Sequence, residues 1–402
     1  MRILMLAPQP FLEPRGTPLS VCQRIQALSA LGHEVDLVTY HVGKDVQIPG
    51  LQIYRIPRTP FIKEVKVGPS WIKPWLDLLL FFVALKLLFS RRYEVIHSHE
   101  EAAFIAVLLS SLFGIRHIYD MHSSLPRQLK NFNFGNWTPL VYLFDLLERW
   151  VINTCDAVIT IGADLEALVR EINPHVTLIT IENMPVYTNN ATADNRDMEQ
   201  LKQQLALQGL LPIVYTGTFE AYQGLDLLLE SACIVVNENP KARFLLVGGK
   251  LHQISHWQQV AEQMGIAGQV QFMGTVPMEE ASLYLKLAEV LVSPRTGGTS
   301  VPLKIYSYLH AGKATVATKL TAHTHVLNQD VAYLVEPTKE ALAAGILKLL
   351  DDSDLRHRLG QRAQQFAEEK YSLANYLEKL RKVYQFQVGL VDIPESALVI
   401  ID

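Results

Sequence analysis

At 402 residues the chain is too long for one ordinary hydrophobic core, so two domains are the first expectation. Hydrophobic residues make up 49% and charged ones 19%, which excludes disordered and fibrous classes, and a formal net charge of -4 supplies no field that would gather nucleic acid. The three cysteines, Cys22, Cys155 and Cys233, stand far apart without His or Cys partners at metal-ligand spacing; a disulfide and a zinc site are not expected, and a reducing, cytoplasmic setting is.

The apolar run Arg2–Ala7 is too short for a signal peptide and reads as a buried first strand. Its loop leads to Gly16 and Thr17, where a helix starts and runs to about Leu31. Free backbone N–H groups and the positive dipole end make that start a seat for a phosphate, with Arg15 adding charge. A plain tight turn reads equally well from these residues. Strands over Glu34–Thr39 and Gln52–Ile56 follow.

Residues 51 to 92 then carry eight basic side chains against Glu64 and Asp77. The uninterrupted apolar part there, Leu78 to Leu85, is far shorter than the about 20 residues a bilayer span needs. Two readings stay open: a buried helix, and a peripheral contact of residues 61–90 with an anionic membrane, in which Trp71, Trp75 and Phe89 meet the interface and nearby Lys and Arg meet headgroups.

Glu94–His97, Arg116–Tyr119 and Ala157–Ile161 complete a first series of strands. His97 and His99 alternate with Ile96 and Ser98 and so share a face, open to packing at the sheet end, acceptor contact or, given a third ligand, a metal. His122 projects just past Arg116–Tyr119, with Asp120 as its partner or as a turn cap. The polar stretch Tyr187–Arg196 reads as a linker. A second series runs through Ile213–Thr216, Arg243–Val247, Val270–Met273, Val290–Ser293 and Ala314–Ala317. His323 and His325 read as loop structure or donor contacts. One helix is expected over about Asp354 to Gln385, packing back toward the first domain. The alternation predicts an α/β protein of two doubly wound, Rossmann-like parallel-sheet domains, 1–188 and 189–385, facing across a cleft, with a tail at 386–402 to which no role is assigned.

Val214-Tyr-Thr-Gly-Thr-Phe-Glu-Ala-Tyr-Gln-Gly-Leu225 resembles the opening strand, loop and helix of the second domain in family 4 glycosyltransferases of the GT-B fold. Glu94-Val-Ile-His-Ser-His99, Cys155-Asp-Ala-Val-Ile-Thr160, Phe244-Leu-Leu-Val-Gly-Gly249, the block from Val292-Ser-Pro-Arg295 to Lys313, and Val335-Glu-Pro337 are similar to further family pieces in the family's order. The resemblance covers nearly the whole chain. It implies a nucleotide diphosphate sugar held by the C-terminal domain and a saccharide or lipid-linked acceptor held by the N-terminal one. It further implies transfer with retention, without a metal or cofactor, and catalytic roles for His122 and Asp120. Donor phosphate or sugar contacts fall to Gly16, Thr17, Thr218, Gln223, Arg295, Gly298, Thr299, Lys304 and Ser307. Four of these depart from the family: Thr299 and Ser307 stand where many relatives carry two glutamates, and Thr218 and Gln223 where relatives place Arg and Lys. Arg295 and Lys304 then serve as replacement cations. A catalytically weak nucleotide-binding protein and a sugar-nucleotide epimerase are the alternatives.

Overall fold

The computed structural model describes residues 1–402 apart from 14–15, 63, 66–69, 132–137, 186–194, 299–300 and 389–402, and apart from the side chains of 130–131, 138, 195–197, 278–279 and 386–388. The chain forms two compact units, Met1–Glu182 with Leu373–Asp402, and Asn183–Ser372. The division comes at Asn183 rather than at 189, and the end of the chain belongs to the first unit.

In the first unit the strands are β1 (Arg2–Ala7), β2 (Glu34–Thr39), β3 (Leu51–Arg55), β4 (Val95–His99), β5 (Arg116–Met121), β6 (Ala157–Thr160) and β7 (Thr177–Thr180). They pair in parallel in the order β3-β2-β1-β4-β5-β6-β7 among the described residues. Their near-continuous apolar runs suit a sheet covered on both faces. β4 and β5 each run two residues past their expected ends, because the ladder continues through Ser98–Tyr119 to His99–Asp120. The second unit holds β8 (Leu211–Thr216), β9 (Ala242–Val247), β10 (Val270–Gly274), β11 (Val290–Ser293), β12 (Thr315–Thr318) and β13 (Tyr333–Val335), in the order β10-β9-β8-β11-β12-β13. The edge strands β7 and β13 were not expected; they are four and three residues long, too short for a periodic signal. The winding reverses between β1 and β4 in one sheet and between β8 and β11 in the other. Such reversal points open a crevice at the carboxyl ends of the strands.

Two helices replace the single one expected near the end, Ser353–Lys370 and Leu373–Val388. The break has a cause: the Tyr371 ring packs edge-on against Tyr306 and Phe366, centroids 5.0 and 5.7 Å away, and its carbonyl accepts a hydrogen bond from His310 Nε2 (3.2 Å). The helix Lys73–Ser90 is buried along Leu76, Leu80, Ala84, Leu87 and Leu88. Its other face keeps Trp75, Phe82 and Phe89 exposed, so the buried-helix expectation holds for one face only. No helix among the described residues is long and apolar enough to cross a membrane.

Candidate functional site

At the carboxyl ends of β4 and β5 the ladder sets His99 opposite Asp120, and a fully buried polar cluster forms there. Arg24, from the helix Gly16–Ala30, donates from Nε to Asp120 Oδ2 (2.8 Å). His97 Nε2 lies 3.2 Å from the same oxygen, and its Nδ1 lies 2.6 Å from Tyr384 Oη. A carboxylate only accepts, so His97 carries its proton on Nε2 and accepts from the Tyr384 hydroxyl. His99 Nδ1 and His122 Nε2 are 3.1 Å apart and share one proton between them; His122 Nε2 is also 3.5 Å from Asp120 Oδ1. Burial alone would raise the Asp120 pKa, but Arg24, with His122 and His97 beside it, holds it well below the usual carboxylate range. Burial keeps His97, His99 and His122 neutral by lowering theirs.

His122 and Asp120 therefore meet. Asp120, however, sits inside β5 and bonds across the sheet, so it is an ion-pair hub rather than a turn cap. The ligand atoms of His97, His99 and Asp120 lie within 4.8 Å of one another, close enough for a metal. Asp120 Oδ2 already receives the Arg24 guanidinium, and a cation bound there would face that charge at contact distance. The donor set suits a hydrogen-bond network better than an ion.

Sequence reading missed Arg24, Tyr376 and Tyr384. Tyr376 lies under the Arg24 guanidinium, 5.1 Å from Cζ to the ring centre. The signal for Arg24 was present: it falls three residues after Val21 and four before Leu28, on the buried face, where an arginine needs an ion pair. Glu100 was missed as well. It takes φ 49°, its carboxylate accepts from Ser123 Oγ (3.0 Å), and burial with Glu101 nearby pushes it up to about 7.

Gly16 opens its helix and is exposed, and a Cβ there would meet nothing within 4 Å, so crowding does not demand the glycine. Thr17 follows, half-buried. Arg15 lies outside the described residues.

In the second unit the loops after β8 and β11 bring together Thr218, Gln223, Arg295 and Gly298, and the helix Leu303–His310 adds Lys304 and Ser307 three residues apart on one face. Lys304 is 7% exposed; its Nζ sits 3.9 Å above the Tyr215 ring centre and makes no hydrogen bond among the described residues. Burial, then the charge of Arg295, pushes its pKa well below the usual lysine value. Arg295, itself buried, stacks over Tyr222 (5.0 Å). Backbone is close everywhere here: a Cβ on Gly217 would lie 3.3 Å from Lys304 Nζ, and one on Gly298 3.2 Å from Arg295 Nη2. Gln223 is buried with its Oε1 accepting no bond among the described residues. The half-buried Thr218 accepts, at its carbonyl, a bond from Tyr215 Oη (2.7 Å). Ser307 is buried, and Thr299 lies outside the described residues.

His323, expected in a loop, lies buried in the short helix Thr321–Thr324. Its Nδ1 donates to the Thr318 carbonyl (2.7 Å), and its Nε2, which is then the acceptor nitrogen, meets Ser293 Oγ at 2.9 Å. Thr318 Oγ1 donates in turn to the Arg295 carbonyl (2.7 Å), which fixes the backbone of that cation. His325 is exposed.

Comparison with known proteins gives two adjoining matches. Residues 15–181 match the model for glycosyltransferase family 4, and residues 197–366 the model for glycosyl transferases group 1. A phosphatidyl-myo-inositol mannosyltransferase of Mycolicibacterium smegmatis is 24% identical over 97% of this chain and 95% of its own length. Among solved structures, HepE of Anabaena in complex with UDP and glucose aligns with a TM-score of 0.74 at 16% identity, over 96% of this chain and 100% of that one. WaaG, a glycosyltransferase involved in lipopolysaccharide biosynthesis, aligns with a TM-score of 0.72 at 12% identity, over 96% and 100%. With a family model on each of its two parallel-sheet units, the chain belongs to the family 4, group 1 glycosyltransferases of the GT-B fold.

Proposed function

We propose that this glycosyltransferase moves a sugar from a nucleoside diphosphate sugar to a saccharide, glycolipid or lipid-linked acceptor of the cell envelope, with retention of configuration and without a metal or cofactor. The second unit holds the donor and the first the acceptor. The observation that carries the reading is Lys304, a buried cation without a hydrogen bond among the described residues, with a second cation, Arg295, facing it. Two cations enclosed by aromatic rings call for an anion, and a diphosphate brings one. During transfer the bond from sugar C1 to the diphosphate oxygen breaks, its electron pair leaves on phosphate, and C1 bonds to the acceptor oxygen. Lys304 and Arg295 stabilise the departing charge in place of a divalent ion. His122, neutral through burial, hydrogen-bonds the reacting hydroxyl or takes its proton. The acceptor class is supported by the similarity to a phosphatidyl-myo-inositol mannosyltransferase. On this reading the protein works at the cytoplasmic face of an anionic membrane, with residues 61–90 in peripheral contact.

The reading is tested by thermal shift with a panel of nucleoside diphosphates, followed by donor hydrolysis by Lys304→Ala, Arg295→Ala and His122→Ala. A stabilising nucleotide and loss of hydrolysis in the two cation variants are expected. Full activity in both would overturn the role of the cations. No shift with any nucleotide would overturn the donor reading, a shift without hydrolysis or transfer by the wild type would favour a catalytically weak nucleotide-binding protein, and epimerisation of the donor without acceptor an epimerase.

A further inference from the structure

Past the end of β5, His122, Ser123 and Ser124 lead into the short helix Leu125–Asn131. A serine just before a helix commonly caps it with its own hydroxyl. Ser124 turns that hydroxyl elsewhere: its Oγ donates to Glu148 Oε1 (2.9 Å). The N–H of Leu125, which no turn of the helix can satisfy, donates to Glu148 Oε2 (2.9 Å). Ser123 Oγ donates to Glu100 (3.0 Å), so the segment behind His122 is tied to two carboxylates from different elements.

Glu148 is set in place by its own helix, Thr138–Thr154. Val151 and Ile152 follow it three and four residues on, on the same face, and are buried in one core with Tyr119 and Met121 of β5. Glu148 itself is 2% exposed. Burial pushes its carboxyl up to about 7, although the bonds from Ser124 and Leu125 pull the other way. Those two bonds are the ones it makes among the described residues. A carboxylate is kept in such surroundings only where its bonds offset the loss of water, and here both go to the residues beside His122. His122 in turn points Nε2 inward, to His99 and Asp120, which leaves Nδ1 for a reacting hydroxyl.

We propose that Glu148 is a positioning residue for the transfer: by fixing Ser124 and Leu125 it sets where His122 Nδ1 meets the acceptor hydroxyl. The inference rests on the reading that His122 hydrogen-bonds or deprotonates that hydroxyl. Glu148 acts through the backbone of the segment and not on the sugar. A displacement of a reacting group by about 1 Å is enough to cost on the order of a hundredfold in rate. Binding of the donor, assigned to the second unit, is left as it was.

The experiment compares the full-length wild type with Glu148→Ala, Glu148→Gln and Ser124→Ala in two readouts. One is kcat and KM for hydrolysis of UDP-glucose or GDP-mannose. The other is the titration of the His122 imidazole by NMR, assigned from the signals lost in His122→Gln. In the wild type, burial together with Arg24 and His97 outweighs Asp120 and holds His122 below 6.5. Glu148→Ala is expected to lower kcat about tenfold or more with KM within about twofold, and to move the His122 titration up toward 6.5 as water reaches the ring. Glu148→Gln keeps a carbonyl oxygen for the Leu125 N–H and offers its amide to the Ser124 oxygen, so it is expected to restore both readouts. Ser124→Ala removes one of the two bonds and falls between; it carries the comparison if Glu148→Ala does not fold. Wild-type kcat and an unmoved His122 titration in Glu148→Ala or, failing that protein, in Ser124→Ala would overturn the proposal, as would a Glu148→Gln protein as impaired as Glu148→Ala. The reading of His122 fails separately, through His122→Gln with wild-type kcat, and the transferase reading through a wild type that hydrolyses neither donor. In both cases the His122 titration still decides whether Glu148 holds the segment.

Discussion

Replacing Lys304 with methionine is expected to stabilise the unliganded protein and to abolish its response to nucleotide at the same time. Methionine keeps an unbranched apolar stem under the Tyr215 ring and removes an ammonium that is buried, lacks a hydrogen bond among the described residues and faces Arg295. An unpaired buried polar group costs about 1–3 kcal/mol, and its deletion returns that amount. In a unit of this size each kcal/mol is roughly 2–4 °C of melting temperature. The pH dependence follows from the lowered lysine pKa. Between the folded value and the ordinary 10.5 the native state binds fewer protons than the unfolded chain, so wild-type stability rises with pH through that window. The advantage of the variant is therefore complete below the folded value and closes as pH approaches 10.5. A saturating nucleoside diphosphate reverses the ranking at neutral pH, because ligand at a hundred times its Kd adds about 2.7 kcal/mol to the wild type only. Scanning fluorimetry with and without UDP or GDP, at neutral and alkaline pH, measures all of this. A variant that melts below the wild type without nucleotide, or that shifts with nucleotide as far as the wild type does, would refute the idea that Lys304 is held unpaired for an anion.

Other outcomes follow from the same physics. Arg24→Met leaves the Asp120 carboxylate buried without its guanidinium, a loss of about 3–5 kcal/mol by urea denaturation; adding Asp120→Asn is expected to recover part of it. Gly248→Ala drives a Cβ to 1.9 Å from the Gly217 carbonyl oxygen at φ 122°, so it is expected to cost about 3 kcal/mol and to remove nucleotide binding by displacing the loop after β8. Three further histidines are kept neutral by burial, His33 and His323 lowered to about 4 and His117 to about 3. The unfolded chain protonates them near 6.5, so stability is level above that pH and falls below it, by about 2 kcal/mol per histidine at about pH 5. Equilibrium unfolding across that range checks the slope, and replacing His117 with a neutral residue is expected to flatten it.

The two sheets and the loops after β8 and β11 were legible because each strand is a local apolar run and each loop follows one. His122 and Asp120 were legible for the same reason, being two residues apart at a strand end. What holds them was not. Arg24 is 96 residues from Asp120 and Tyr384 is 287 from His97, and no local pattern encodes contacts at that separation. Gly16 shows the opposite limit: the sequence offers a glycine at a helix start, yet a Cβ there would meet nothing within 4 Å. The helix near the end looked unbroken because Tyr371 and Ser372 sit in a run of good helix formers; the contacts of Tyr371 with Tyr306 and His310 interrupt it.

The helix Leu373–Val388 has a consequence for how the molecule is made. It contributes the buried residues Tyr376, Leu380, Val383 and Tyr384 to the first unit, including the hydroxyl that His97 accepts from. A ribosome delivers the seven strands of that unit first and this helix only after the entire second unit has emerged. During synthesis the nascent first sheet therefore waits with β6, β7 and the helix Gly16–Ala30 uncovered on this side while its neighbour folds, and the Arg24–Asp120 pair stands without Tyr376. Synthesis of this helix, rather than completion of the first seven strands, is the event that closes the histidine cluster, and a ribosome stalled before Leu373 holds a polypeptide whose second unit is finished and whose first unit is not.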